Sequence, residues 1–174
     1  MQKCIFLDRD GVLNEDRTDY VYKIEDYIIP EGVIDGLNLL KKAGYLLIVV
    51  TNQAGIAKGL YSHEDVLNCY NFLQSQCGGV IDDIYYCRHH PQYTSESLLR
   101  KPDSLMLEKA IAKYNIDTTH SYMIGDAERD VKAGIKAGVK TIHIATGKEN
   151  TNLADYRFGS LWEASKFIVD NPTY

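Results

Sequence analysis

Cys4-Ile5-Phe6-Leu7-Asp8-Arg9-Asp10-Gly11-Val12-Leu13-Asn14 is the stretch from which the fold can be read. Four consecutive apolar residues, Cys4 to Leu7, have the pattern of a strand buried on both faces, and two carboxylates follow at its carboxyl end. In an open α/β sheet, that edge is where ligands bind. Gly11 permits a sharp exit, so that Asp8 and Asp10 can both turn toward one pocket. Two anions held together need a cation or a shared proton, and a divalent metal is expected between them.

Outward from this strand, apolar and amphipathic segments alternate. The pattern predicts a helix over 33–43 closed by Gly44, then a buried strand from Tyr45 to Thr51 that ends in a hydroxyl. A turn with Gly55 and Gly59 precedes a second helix, opened by Ser62 with Asp65 three residues on, as in a capping box, and stopped near Gly78-Gly79. Val80 to Cys87 is less uniformly apolar and reads as a strand near the sheet edge. After a loop ending in Arg100-Lys101-Pro102, Asp103 or Ser104 caps a third helix. A strand over 121–126 carries Asp126 at its carboxyl end. Helix 130–137, strand 140–145 and helix 161–170 close the chain. Alternation of this kind gives a doubly wound parallel sheet with helices on both faces. It gathers Asp8, Thr51 and Asp126 along one edge, and Lys101 can return to it.

The bulk properties restrict the function classes. With 174 residues the chain is expected to form a single domain over 1–174 without a large cap. A net charge of -5 argues against nucleic-acid binding, and no apolar run reaches the length of a membrane span. The N-terminus lacks a signal-peptide pattern, and Cys4, Cys69, Cys77 and Cys87 show no paired spacing, so a reducing cytoplasm is expected. Without a heptad or a long apolar helix face, so is a monomer.

Three carboxylates suit a hard cation such as Mg²⁺, with water and substrate oxygens completing its shell. Thr51 and Lys101 can meet the remaining charge of a phosphoryl group. An aspartate can attack phosphorus to give an aspartyl-phosphate, while its neighbour serves as acid and then base. Each residue also has an ordinary structural role open to it: Thr51 as a strand end, Lys101 as a solvated loop lysine, Asp126 and Asp130 as helix caps.

Asp8-x-Asp10-Gly11, Thr51-Asn52, Lys101-Pro102 and Gly125-Asp126-x-x-x-Asp130 resemble, in order and spacing, the four motifs of the haloacid dehalogenase (HAD) superfamily of phosphatases. Asp8-Arg9-Asp10-Gly11-Val12-Leu13-Asn14, Thr51-Asn52-Gln53-Ala54-Gly55-Ile56-Ala57, Tyr86-Cys87-x-His89-His90-Pro91, Arg100-Lys101-Pro102 and Thr146-Gly147 are similar to the heptose bisphosphate phosphatases, with histidinol-phosphate phosphatases as near relatives. The resemblance implies a Rossmann-like HAD fold and hydrolysis of a small phosphorylated sugar, best matched by D-glycero-D-manno-heptose 1,7-bisphosphate. Asp8 would be the nucleophile and Asp10 the acid/base, with Thr51 and Lys101 steadying the phosphoryl group. Mg²⁺ would bind Asp8, the Asp10 backbone carbonyl and Asp126, with Asp130 in support. Arg100 would contact the far end of the substrate, aided by Asn52, Gln53 and the loop from Asp16 to Tyr20.

This chain departs from the family pattern in three places. Cys87 and His89 supply half of a structural zinc site, but Ser97 and Leu99 stand where the second cysteine pair would be, so zinc is not expected. Ala127 follows Asp126 where lysine is frequent, and the loop after Asn14 is one residue longer. The competing readings are histidinol phosphate as substrate and, in a different class, a phospho-accepting or sugar-phosphate-binding module without turnover.

Overall fold

The first strand, β1 (Cys4–Leu7), is wholly buried and lies at the centre of a six-stranded parallel sheet. The computed structural model describes residues 1–171. Helix α1 (Val33–Lys42) leads to β2 (Leu46–Asn52), and α2 (His63–Cys77) leads to β3 (Asp83–Cys87). Next come α3 (Leu105–Tyr114), β4 (Tyr122–Gly125), α4 (Glu128–Ala137), β5 (Lys140–Ile144), β6 (Tyr156–Phe158) and α5 (Leu161–Asp170). Short 3-10 turns occupy 24–26 and 118–120.

The sheet order is β3-β2-β1-β4-β5-β6. The chain builds outward from β1 to β3 on one side, then returns to pair β4 against β1 and builds outward on the other. The reversal opens a crevice beyond the carboxyl ends of β1 and β4, which is where a doubly wound sheet accommodates ligands. Asp8 leaves β1 there and Asp126 leaves β4, with Leu7 paired to Ile124 in register.

Period-2 alternation divides the sheet's side chains between two layers. Ile5, Leu7, Leu47, Val49, Ile124 and Ile142 pack with α1, α2 and α5. Cys4, Phe6, Ile48, Val50 and Met123 pack with α3 and α4. Two faces of apolar contact explain why these strands read as unbroken apolar runs.

The expected capping box of α2 is present: the Asp65 N–H donates to Ser62 Oγ (3.2 Å) and the Ser62 N–H to Asp65 Oδ2 (2.7 Å). At α3 the expected cap takes another form. Ser104 occupies the N-cap position, but its hydroxyl donates to Glu108 Oε1 at 2.5 Å rather than accepting from the backbone. The third strand is an edge strand, as expected, although it begins only at Asp83. β6 is an addition to the predicted set.

Candidate active site

Asp8 continues directly from β1 and is buried, with Oδ1 accepting the Arg9 backbone N–H at 2.7 Å. Lys101 comes from the loop between β3 and α3. Its ammonium lies 2.8 Å from Asp8 Oδ1 and 2.6 Å from Asp130 Oδ1, and it donates to the Val50 carbonyl at 2.8 Å. The contact to Asp130 is an ion pair, without a directed hydrogen bond to that oxygen. What brings Lys101 there is Asn52 at the end of β2: its amide donates to the Lys101 carbonyl and accepts from the Lys101 N–H, both at 3.0 Å. Burial pushes the Lys101 ammonium toward neutrality, but Asp130 and Asp8 outweigh it and hold the group charged.

Asp126 follows β4. Carboxylate oxygens of Asp8, Asp126 and Asp130 lie within 4.8 Å of one another. Asp130 has both oxygens engaged, one by Lys101 and the other by the Ala127 N–H at 3.1 Å, so it caps α4 and anchors the lysine together. Asp126 is different. Its Oδ1 is buried without a partner, and Oδ2 receives only a long contact, 3.5 Å, from Thr146 Oγ1. Burial and the charges of Asp8 and Asp130 push the Asp126 carboxyl up to about 7, and burial and Asp130 raise that of Asp8. A buried oxygen without a partner, set among repelling carboxylates, is the environment a divalent cation relieves, and an all-oxygen donor set suits Mg²⁺. Gly11, at φ +86°, makes room: a Cβ there would fall 2.1 Å from Asp126 Oδ2.

The Asp10 side chain turns to a different set of partners. Oδ1 accepts from Arg9 Nη2 (2.8 Å), Arg9 Nε (3.2 Å) and Asn14 Nδ2 (3.0 Å), and Oδ2 accepts from Gln53 Nε2 at 3.1 Å. The same Gln53 amide donates to Thr51 Oγ1 at 2.9 Å. Thr51 is buried, and with its oxygen accepting from Gln53 its own proton is free to be donated.

Asn52 and Gln53, expected at the substrate, therefore engage their amides within the protein. The mouth is formed by other groups. Asp16 pairs with Lys148 at 2.7 Å across a cleft of about 270 Å³ lined by Gly11, Asn14, Glu15, Pro30 and Thr146. Tyr20, at φ +68°, lies beneath the Lys58 ammonium, which is 5.2 Å from its ring centroid and 5.3 Å from that of Tyr93. Arg100 donates to the His89 carbonyl at 3.4 Å. Among the described residues, neither Lys58 nor Arg100 has a carboxylate within 4 Å. The Cys87 thiol donates to the His89 carbonyl (3.8 Å), and His89 Nδ1 meets Ser95 Oγ at 3.3 Å.

Arg9, Lys58, Tyr61 and Arg129 escaped the sequence reading. Arg129 loses some basicity to burial but is held charged by Asp130, Asp8 and Asp126. A cation adjoining three acids was foreseeable from Asp126-x-x-Arg129-Asp130. The direction in which Tyr61 points was not.

A HAD-hydrolase-like family model matches residues 98–171, the part of the chain that includes α3 to α5. The chain is 42% identical over 180 residues to the D-glycero-β-D-manno-heptose-1,7-bisphosphate 7-phosphatase of Haemophilus influenzae, covering 97% of both proteins. It is 40% identical over 178 residues to that of Escherichia coli K12, covering 95% of this chain and 93% of the relative. This chain belongs to the heptose-1,7-bisphosphate 7-phosphatase family. The D,D-heptose 1,7-bisphosphate phosphatase of B. bronchiseptica, crystallised with magnesium and phosphate, superposes with a TM-score of 0.88 at 25% identity, covering 97% of this chain and 98% of that one. The family member described here is a HAD-type phosphoric monoester hydrolase. No helix among its described residues is long and apolar enough to cross a membrane.

Proposed function

We propose that this phosphatase removes the 7-phosphate of D-glycero-β-D-manno-heptose 1,7-bisphosphate through an aspartyl-phosphate on Asp8. The observation that carries the chemistry is the buried Asp8–Lys101–Asp130 array with the unpartnered Asp126 oxygen beside it. The 42% and 40% identical relatives, both named for the β-anomer, support the substrate.

Asp8 Oδ1 is engaged by the Arg9 N–H and by Lys101, which leaves Oδ2 to attack phosphorus. The P–O bond to the sugar breaks, and the departing oxygen takes a proton from Asp10. Asp10, now ionised, removes a proton from water, whose oxygen attacks the same phosphorus; inorganic phosphate leaves and Asp8 is restored. Lys101 and the Thr51 hydroxyl stabilise the charge on the transferring group. Mg²⁺, held by Asp8, Asp126 and the Asp10 carbonyl, would supply further neutralisation of phosphoryl charge. Arg100 and Lys58, cations without carboxylate partners, are placed to receive the phosphate that is not cleaved, with Asp16 and Tyr20 beside the sugar. Asn52 and Gln53 support these groups from within.

Asp8→Asn removes the nucleophile and leaves a neutral isostere. The expected outcome is loss of turnover on the heptose bisphosphate in Mg²⁺ with the melting temperature retained. Hydrolysis at the wild-type rate by that variant overturns the mechanism. Side-by-side kcat/KM values on the β-anomer, the α-anomer and histidinol phosphate test the substrate, and a higher value for either of the last two overturns it.

A further inference from the structure

One amide reaches both Thr51 and Asp10, and a side chain outside the motifs holds that amide in turn. Gln53 is buried and has one carbonyl and one NH2 to dispose of. Its NH2 reaches Asp10 Oδ2 and Thr51 Oγ1, at 3.1 and 2.9 Å. With the nitrogen facing Asp10 and Thr51, Oε1 faces the other way. There it accepts from the Tyr61 hydroxyl at 2.7 Å. Every hydrogen-bonding atom of the amide is then occupied, with the Thr51 hydroxyl accepting and the Tyr61 hydroxyl donating.

Tyr61 is itself held rigidly. Its ring stacks on Tyr22, with centroids 5.2 Å apart and planes 14° apart, and meets Tyr20 edge-on at 5.9 Å. Behind it, a Cβ on Gly55 would fall 1.9 Å from Tyr61 Cε1, so the ring occupies space that only glycine leaves open. Such packing fixes the hydroxyl in one place, which a lone hydrogen bond to a flexible amide does not do.

We propose that Tyr61 is a positioning residue for phosphoryl transfer, holding the Gln53 amide so that one NH2 group aligns the Asp10 carboxyl and the Thr51 hydroxyl. Without the phenolic donor, Oε1 is left buried and unpaired, and the amide gains by turning to find another partner, freeing the Thr51 hydroxyl and Asp10 Oδ2 while Oδ1 stays with Arg9 and Asn14. This inference rests on the reading of Asp10 as the acid that protonates the leaving group. It goes beyond that reading by assigning a function to a buried residue that belongs to none of the motifs.

The test is Tyr61→Phe, assayed with Mg²⁺ on the heptose bisphosphate and, in single turnover, on p-nitrophenyl phosphate. An aryl oxide leaves with little need of a proton and a sugar alkoxide does not, so losing the alignment of Asp10 weighs more on the sugar. The expected result is about a tenfold or greater fall in kcat on the sugar with KM within about twofold, and a several-fold smaller fall in the nitrophenolate release step. Tyr61→Phe combined with Gln53→Leu is expected to be no slower than Gln53→Leu alone, because both act through one amide. Gly55→Ala, which displaces the ring but keeps the hydroxyl, is expected to show the same selective loss and serves if Tyr61→Phe does not fold. Equal losses on both substrates, additive losses in the double variant, or wild-type kinetics overturn the proposal. Asp10→Asn on the same two substrates separates the levels. If it fails to discriminate between them, the acid assignment falls and this inference with it; if it discriminates and Tyr61→Phe does not, only the inference falls.

Discussion

Lys101 is the residue on which the buried charges depend. It stands between Asp8 and Asp130 with none of its side chain exposed. Replacing it with methionine keeps most of the volume and removes the charge, leaving buried carboxylates without a counter-ion. Breaking a buried pair from one side costs about 3–5 kcal/mol, and urea unfolding of Lys101→Met near neutral pH is expected to show a loss of that order along with loss of turnover. The deficit should shrink as the pH is lowered, because protonating Asp8 neutralises the charge that Lys101 no longer meets; an unfolding midpoint measured at two pH values checks the sign. At this scale the sequence was informative wherever a reactive group sits at the end of an apolar run. Asp8, Thr51 and Asp126 are of that kind, and their convergence follows from strand alternation. Gln53 and Tyr61 are not. Which way the Gln53 amide faces depends on several partners at once, one of them 43 residues away, and the Tyr61 ring reads as loop packing until the space beside Gly55 is seen.

Among elements, α4 shows how closely helix and sheet are pressed together. A Cβ on Gly134 would fall 2.7 Å from Thr141 Cγ2 and 2.8 Å from Met123 Cβ, so the glycine lets the helix lie on β4 and β5. Gly134→Ala gains about 1 kcal/mol of helix propensity but overpacks a filled interface, which costs about 1–3 kcal/mol. A net loss is expected, read as a lower denaturation midpoint at unchanged m-value, with kcat retained because the strand ends are not reshaped. A gain in stability would show that the layers separate freely. The alternation of apolar and amphipathic segments was enough to read five strands and five helices, because buried strands show as apolar runs and each helix is long enough to show its period. β6 was not legible: Tyr156-Arg157-Phe158 is too short to establish a period, and it is a strand only because it pairs with Ile142–Ile144 at the sheet edge. At α3 the place of the cap was legible and its hydrogen bonding was not. Ser104 has the right chemistry at the right place, and Glu108 draws its hydroxyl away.

For the molecule as a whole, the acidic cluster should make stability depend jointly on pH and Mg²⁺. The Asp126 carboxyl is raised from 3.8 to about 7 in the metal-free protein. Between those values the folded protein holds a proton that the unfolded chain has released. The group's contribution to stability is therefore full below the lower value and lost as pH rises through the upper one. Thermal unfolding in chelator is expected to show the melting temperature declining from about pH 5.5 to about pH 8. If Mg²⁺ is held by the ionised cluster, as proposed, the rise it produces should be larger at the higher pH, where no proton competes with it. An equal rise at both would place the ion away from Asp126.

The strand order has a consequence for synthesis. β1 neighbours β2, made soon after it, and β4, which begins more than a hundred residues later. While the chain is growing, one flank of its most apolar strand has nothing to pair with, and Asp8 waits for the ammonium of Lys101. A ribosome that stalls after β3 releases half a sheet with a bare hydrophobic margin, a species prone to stick to its neighbours rather than one with diminished activity. The arrangement that joins both halves of the chain at the reacting phosphorus leaves catalysis, and safety from aggregation, to the last third of translation.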